Sequence, residues 1–521
     1  MTSTKCFWHI LACALAAFAS DRASADNGHA TAVFLADPQI HNVYGGSIKQ
    51  EWIISDFAAG VAQRPPELNL LAPYVLTELL SRASEMAGPE GSKLVVMLGD
   101  TTNVACSSEL DRYNGSIKAG LRPDQLLLAA HGNHDSYLMG TVNSYVPMDG
   151  VLNKTMANFV GKNLPVDASW WSNPESDIGG TSWRGACASP SNGLPLNKGQ
   201  WMVRYAKSLG IELQSIEGGS NEDGYPFEAK IKSGTKLEAL NYRLLGRWYP
   251  PTFRKKEGNY WDLQRVSLSY LVQAIDLEPG HRLVLIDTST CEVARGGLDY
   301  KSSNAGTHAC VGKKQIDDIA DIISTDSSKK LVFAGHYPFN KLEEDRSSLH
   351  NVMSRNGRQW MYVSAHTHRP RPVEWHSGGV EVNIGSTTDW PMEASVIEFG
   401  ASVPIVSKAM LDVRPSIGYN RPASFQGTEL CRHVDAAEKL AGLVLDRPVD
   451  TWESPGTWLS YTNCWSMSQT VGFNRLAAAE RKIAERIAKD ENYKKRVLEI
   501  AASASLNEHR RFNLGDVIGG L

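Results

Sequence analysis

The chain has 521 residues, 42% apolar and 21% charged, a globular composition long enough for a large core and more than one domain, which excludes disorder and fibrous repeats. Lysine plus arginine number 53 against 57 aspartate plus glutamate, a formal net charge of −4. No overall basic excess points to a stable nucleic-acid complex or to an anionic membrane surface.

In chain order, the first element reads as an export signal. Lys5 precedes an apolar run from Phe7 to Ala19, and Ala23-Ser24-Ala25 supplies the small residues a signal peptidase reads before Asp26. The run falls short of the roughly 20 residues a bilayer span needs, and no later segment supplies a transmembrane anchor. Residues 1–25 are therefore expected to be cleaved and the mature protein to be secreted or periplasmic. Cysteine usage agrees, because Cys6 and Cys13 lie in the signal and leave Cys106, Cys187, Cys291, Cys310, Cys431 and Cys464, an even set that suggests disulfides. Pairing of sequence neighbours would close each loop within one region, but sequence alone does not select that connectivity.

Five short apolar runs, each stopped by a polar cluster, mark residues 31 to about 400. They are Thr31–Ala36 before Asp37, Leu94–Leu98 before Gly99-Asp100, Leu126–Ala130 before His131-Gly132-Asn133-His134-Asp135, Leu331–Ala334 before Gly335-His336, and Met361–Ala365 before His366-Thr367-His368. Runs of this length read as buried strands, with polar residues at the C-terminal ends where α/β sheets carry their sites. Leu68–Met86 and Ile316–Ile323 have helical spacing, so the alternation is that of a layered α/β domain.

The stretch from about 139 to 282 is rich in Gly, Ser, Asn, Pro and Trp and has few periodic segments, and it is expected to be an insertion covering one rim of the site. Its tryptophans, Trp201 and Trp248 among them, are read mostly as core or loop anchors. His281–Asp287 returns to strand pattern, with Asp287 as a strand-end residue. Past 410 the chain turns Trp-rich (Trp452, Trp458, Trp465) and then helical from Asn474 to about Ile500, expected to form a separate C-terminal module over 411–521.

None of the polar clusters is specific alone, since His, Asp and Asn at strand ends commonly serve as caps or turns. Together, carboxylate and amide oxygens with imidazole nitrogens suit divalent Mn, Fe, Zn or similar ions, and one carboxylate can bridge two of them. Two metals about 3.5–4 Å apart clamp a phosphoryl group and activate a water for in-line attack.

Asp37-Pro38-Gln39, Gly99-Asp100-Thr101-Thr102-Asn103, Gly132-Asn133-His134-Asp135, Gly335-His336 and His366-Thr367-His368 resemble, in order, the five blocks of the calcineurin-like metallophosphoesterase superfamily, in its Asp-Pro-Gln subset. The resemblance spans roughly residues 30 to 400. It implies a four-layer α/β/β/α sandwich as a catalytic domain over 26–410, carrying two divalent ions (Mn, Fe, Zn or Mg). Asp37 and His368 would hold the first ion, Asn133, His336 and His366 the second, with Asp100 between them. His134 would protonate the leaving oxygen as general acid.

Two departures from the family pattern matter. Gln39 stands where the first block usually has His; its amide oxygen is taken as a first-metal ligand, with a supporting hydrogen bond as the alternative. Asn103 stands where phosphoprotein phosphatases pair an Asp with the catalytic His, and its amide can orient His134 without stabilising an imidazolium as a carboxylate would. His41 and Asp135 are read as supporting or turn residues, and His131 as support for the sheet end or a substrate contact. Arg369 reaches either a phosphate oxygen or solvent. The expected activity is hydrolysis of phosphate esters, with phosphomonoesterase favoured and an acid-sphingomyelinase-like or nucleotide-directed phosphodiesterase as the alternative. A non-catalytic surface-binding protein on the same scaffold is the reading from another class, and oligomeric state is not legible.

Overall fold

Each of the five apolar runs forms a strand, and they are divided between two sheets. The computed structural model describes residues 30–40, 66–103, 105–136, 196, 198–220, 223–249, 268–277, 280–290, 309–325, 328–357, 359–400, 404–411, 413 and 483–518. The signal segment, His41, Cys187, Cys291, Cys431, Cys464 and the tryptophans between 452 and 465 lie outside these residues.

The N-terminal half contains β1 (Ala30–Leu35), α1 (Pro66–Gly91), β2 (Leu94–Met97), α2 (Ser107–Gly120), β3 (Leu126–Ala129), α3 (Lys198–Ser208), β4 (Glu212–Ser215), β5 (Tyr225–Lys230), β6 (Arg243–Trp248), β7 (Tyr270–Leu277) and β8 (His281–Leu285). The rest contains β9 (Ala309–Cys310), α4 (Lys313–Ser324), β10 (Lys330–Ala334), β11 (Leu342–Glu344), α5 (Arg346–Met353), β12 (Trp360–Ser364), β13 (Arg371–His376), β14 (Gly379–Asn383), β15 (Glu393–Phe399), β16 (Ile405–Met410) and α6 (Glu491–Ile518).

A five-stranded sheet has the order β16-β15-β1-β2-β3, and a nine-stranded sheet the order β13-β14-β12-β10-β8-β7-β6-β5-β4. In the first, β1, β2 and β3 run parallel. In the second, β8, β10, β12 and β14 do. Parallel strands deliver their C-terminal ends to one edge of a sheet, so the polar clusters that follow β1, β2 and β3 emerge together, as do those that follow β10 and β12.

The two-residue strand period sorts side chains between two cores. Leu271, Ile275, Leu283, Leu285, Val332 and Val363 join the residues of the five-stranded sheet in one hydrophobic cluster. Their neighbours Val272, Ala274, Val284, Leu331, Phe333 and Tyr362 pack on Ile316, Ile319 and Ile323 of α4 and on Leu349 and Met353 of α5. On α1, Leu71, Val75, Leu76, Leu79, Leu80 and Ala83 are buried at three- and four-residue spacing, which makes one continuous apolar stripe. Its helical geometry breaks at Gly88, whose φ of 70° is open to glycine without strain.

Two further segments join or pack against these sheets. Residues 198–277, expected to lie in a rim insertion, supply α3 and the four strands β4–β7, and β7 pairs antiparallel with β8 inside the nine-stranded sheet. The period was hard to read because β4 and β5 are short and largely solvent-facing, while β7 is buried on both faces. The described C-terminal helix is the second. Tyr493, Val497, Leu498, Ala501 and Ala502 of α6 are buried in the cluster of the five-stranded sheet, Lys494 pairs with Glu78 of α1 at 2.6 Å, and Ser505 donates to the carbonyl of Thr388 at 3.1 Å. Among the described cysteines, Cys106 and Cys310 both take part in disulfides.

Candidate dinuclear metal centre

The loops after β1, β2 and β3 are laced by their backbones before any side chain is considered. Gln39 N donates to Asp100 O at 2.9 Å, Ile40 N to Thr101 O at 3.1 Å and Asn103 N to Ile40 O at 3.2 Å. Asp135 ties in the third loop by accepting from the backbone N–H groups of Thr101 (2.7 Å), Thr102 (3.0 Å) and Gly132 (2.9 Å), which is the supporting role expected of it. On the other sheet, Thr367 Oγ1 donates to Asn383 Oδ1 at 2.6 Å and Asn383 Nδ2 to Ala365 O at 2.8 Å, so one amide side chain of β14 clamps the His-Thr-His turn.

These loops hold five of the residues of interest in a conformation that L-amino acids rarely adopt. Asp37 (φ 51°), Gln39 (40°), Asp100 (52°), His366 (66°) and His368 (53°) all lie in the left-handed region. Each such residue costs on the order of 1 kcal/mol or more, and strain of this kind persists where the surroundings impose it and concentrates at functional sites.

Two groups of potential ligand atoms result, Asp37/Asp100/His368 and Asp100/His336/His366, each with its atoms within 4.8 Å of one another. Asp100 belongs to both. His336 Nδ1 lies 2.7 Å from the carbonyl of Leu98, which can only accept, so that nitrogen carries a proton. Nε2 of the same ring faces Asn133 Oδ1 at 2.9 Å and Asp100 Oδ1 at 3.4 Å, with His366 Nδ1 at 3.1 Å. Imidazole nitrogens, a carboxylate and an amide oxygen thus converge on one point, a donor set that fits a divalent ion.

Gln39 adds a second observation. Its Nε2 donates to Asp100 Oδ2 at 3.0 Å, while its Oε1 is buried and has no hydrogen-bond partner among the described residues. Asn133 and Asp37 are buried beside it, and His368 Nε2 lies 3.6 Å from Asp37 Oδ1. Burial opposes ionisation of Asp100, but His336, His134 and His366 around it, with the backbone N–H of His134, hold its carboxyl well below the usual range. Burial, then His336, pushes His366 well below the ordinary imidazole value.

His134 is partly exposed beside this cluster, and its backbone N–H donates to Asp100 Oδ1 at 2.9 Å. Its Nδ1 donates to the main-chain carbonyl of Asn103 at 2.7 Å. The expectation that the Asn103 side chain would orient this ring is thereby corrected: the backbone does so, and Asn103 Oδ1 is buried without a hydrogen-bond partner among the described residues. A carbonyl serves here whatever residue carries it, which is why residue identity was misleading.

Of the remaining candidates, His131 supports the sheet end. It is buried, its Nδ1 lies 2.8 Å from Ser289 Oγ, and its ring meets Trp201 edge to face at 4.9 Å. Asp287 is structural, paired with the buried Lys198 at 2.9 Å. Trp201 stacks on Tyr205 in the core, and Arg369 is exposed.

Sequence reasoning missed Asp389, whose Oδ2 accepts a hydrogen bond from His368 Nδ1. The available signal was a sixth polar cluster, Ser386-Thr387-Thr388-Asp389, after the alternating segment Val380-Glu381-Val382-Asn383-Ile384.

No family model and no curated protein matches the chain. Among solved structures, it is similar to a dimetal phosphatase from Danio rerio at 11% identity, over 74% of this chain and 99% of that one, with a TM-score of 0.34. It is also similar to a purple acid phosphatase from yellow lupin (Lupinus luteus) seeds at 11% identity, over 73% of this chain and 51% of that one, with a TM-score of 0.30. Similarity at this level assigns neither fold nor activity.

Proposed function

We propose that the chain is a phosphoric ester hydrolase of the metallophosphoesterase kind, built as a four-layer α/β/β/α sandwich and working with two divalent ions. The observation that carries this reading is the pair of ligand groups sharing Asp100. Asp37, Gln39 and His368 would hold one ion with Asp100, and Asn133, His336 and His366 the other. Bound there, two such ions polarise a phosphoryl group and lower the pKa of a water.

The chain's own residues do the rest. With Nδ1 committed to the Asn103 carbonyl, protonated His134 carries its second proton on Nε2, the nitrogen that would deliver it to a leaving oxygen. The hydrogen bond from the His134 backbone to Asp100 Oδ1 ties the acid to the shared carboxylate. A monoester substrate is favoured over a diester, and export to an extracellular or periplasmic compartment accompanies the reading. Retention of a ligand in every block favours an enzyme over a binding scaffold.

Asp100→Asn is the test. Wild-type protein should carry close to two divalent ions per chain by elemental analysis and hydrolyse p-nitrophenyl phosphate faster than its bis ester. The variant should lose both metal and activity, and full activity in that variant or in chelator-stripped protein would sink the proposal.

A further inference from the structure

We infer that Asp389 is the positioning residue for His368, and that through it the chain secures one of the two metal positions independently of the other. The inference rests on the dinuclear reading above and adds a residue and an asymmetry to it.

His336, His134 and His368 use the ring nitrogen that faces away from the cluster in different ways. His336 donates Nδ1–H to the carbonyl of Leu98, and His134 donates to that of Asn103. Both acceptors are backbone atoms that no side-chain substitution removes. His368 donates instead to the carboxylate of Asp389, which lies 21 residues further along the chain, across the β13–β14 hairpin. A carbonyl or a carboxylate fixes the tautomer equally well, but only the carboxylate adds negative charge and makes the opposite nitrogen a stronger donor.

Asp389 is itself held. Its backbone N–H donates to Ser386 Oγ at 3.1 Å, and Ser386 Oγ lies 3.0 Å from the carbonyl of Asp37. Thr388 Oγ1 donates to Pro38 O at 2.7 Å. The segment that carries Asp389 is therefore docked on the Asp37–Gln39 loop, so the ligands of one position and the residue orienting His368 form a single braced unit. Among the described residues, no hydrogen bond joins that segment to His336 or His366.

The consequence is selective. Asp389→Ala removes the acceptor, frees the His368 ring to rotate, and should weaken Mn²⁺ at one position by about 10- to 100-fold, the usual effect of losing such a partner. Asp389→Asn keeps an acceptor oxygen and should recover part of that loss.

Equilibrium dialysis of the full chain against Mn²⁺, with electron paramagnetic resonance on the same samples, reads this without any assay of turnover. Wild type should bind two ions with the signal of a coupled pair, and Asp389→Ala close to one at matched free Mn²⁺, with a mononuclear signal. The melting temperature of chelated Asp389→Ala should equal that of chelated wild type. Unchanged Mn²⁺ binding in Asp389→Ala, equal loss of both ions, a lowered melting point after chelation, or an asparagine variant no better than alanine would each overturn the inference. Failure of wild type to bind two ions would instead overturn the dinuclear reading.

Discussion

A methyl group on Gly132 would lie 2.2 Å from Oδ1 of Asp100 and 2.3 Å from its backbone nitrogen. The loops after β2 and β3 thus touch where only a hydrogen fits, and the contact is made against the carboxylate common to both ligand groups. Gly132→Ala should displace Asp100, lower divalent-metal content and reduce stability by about 1–3 kcal/mol, as overpacking of a tight interior does. Elemental analysis and a thermal melt in chelator check the two effects separately, and wild-type values in both would mean that the loops yield without consequence.

His134→Gln keeps a polar side chain of similar reach but cannot supply a proton. Turnover of alkyl phosphate esters should fall by roughly 10²- to 10⁴-fold, the usual contribution of a general acid. Nitrophenyl esters, whose leaving group departs as a stable anion, should be affected far less, and bound metal should not change. Equal losses on both substrates would assign His134 to charge or positioning, and loss of metal would make it a ligand.

Glu78 provides a pH test of how α6 docks on α1. Burial raises its pKa, but hydrogen bonds from Lys494 of α6 and from Arg82, with their charges, outweigh that and lower it below the ordinary value. A carboxyl with a lowered folded-state pKa contributes stability that is complete above the unfolded value, near 4.5, and disappears as pH falls through the lowered one. The pair is worth at most about 1 kcal/mol, since both side chains are partly exposed. Hydrogen exchange in residues 491–502 should accelerate below the ordinary carboxylate pKa, and Glu78→Gln should show the faster exchange already at neutral pH. Equal exchange in variant and wild type at neutral pH would remove this pair from the docking of α6.

The export proposal has a chemical test of its own. Protein isolated from its natural compartment should begin near Asp26, and titration of the denatured, unreduced chain should find almost no free thiol among its six remaining cysteines. Cys106 and Cys310 are already accounted for as disulfide-bonded. Free thiols among the remaining cysteines, or an intact N-terminal segment, would count against export.

The sequence by itself determined the strands that carry the site, because an apolar run of four to six residues ended by Gly, Asp or His is a local pattern whose conformation depends on little beyond itself. It also determined the identity of the polar residues at those ends, and Asp37, Asp100, Asn133, His336, His366 and His368 do converge. Tertiary structure decided what each of them faces. No local rule places Asp37, Gln39, Asp100, His366 and His368 in left-handed conformations, since these arise where loops from different strands are laced together. No residue type announces that His134 is oriented by the Asn103 carbonyl, because every residue offers one. Asp389 meets His368 only after the β13–β14 hairpin reverses the chain, and α6 meets α1 only because its apolar stripe finds the uncovered side of the core. Burial and side-chain direction depend on the register of strands far apart in the chain, and that register is set by the packing of the whole domain.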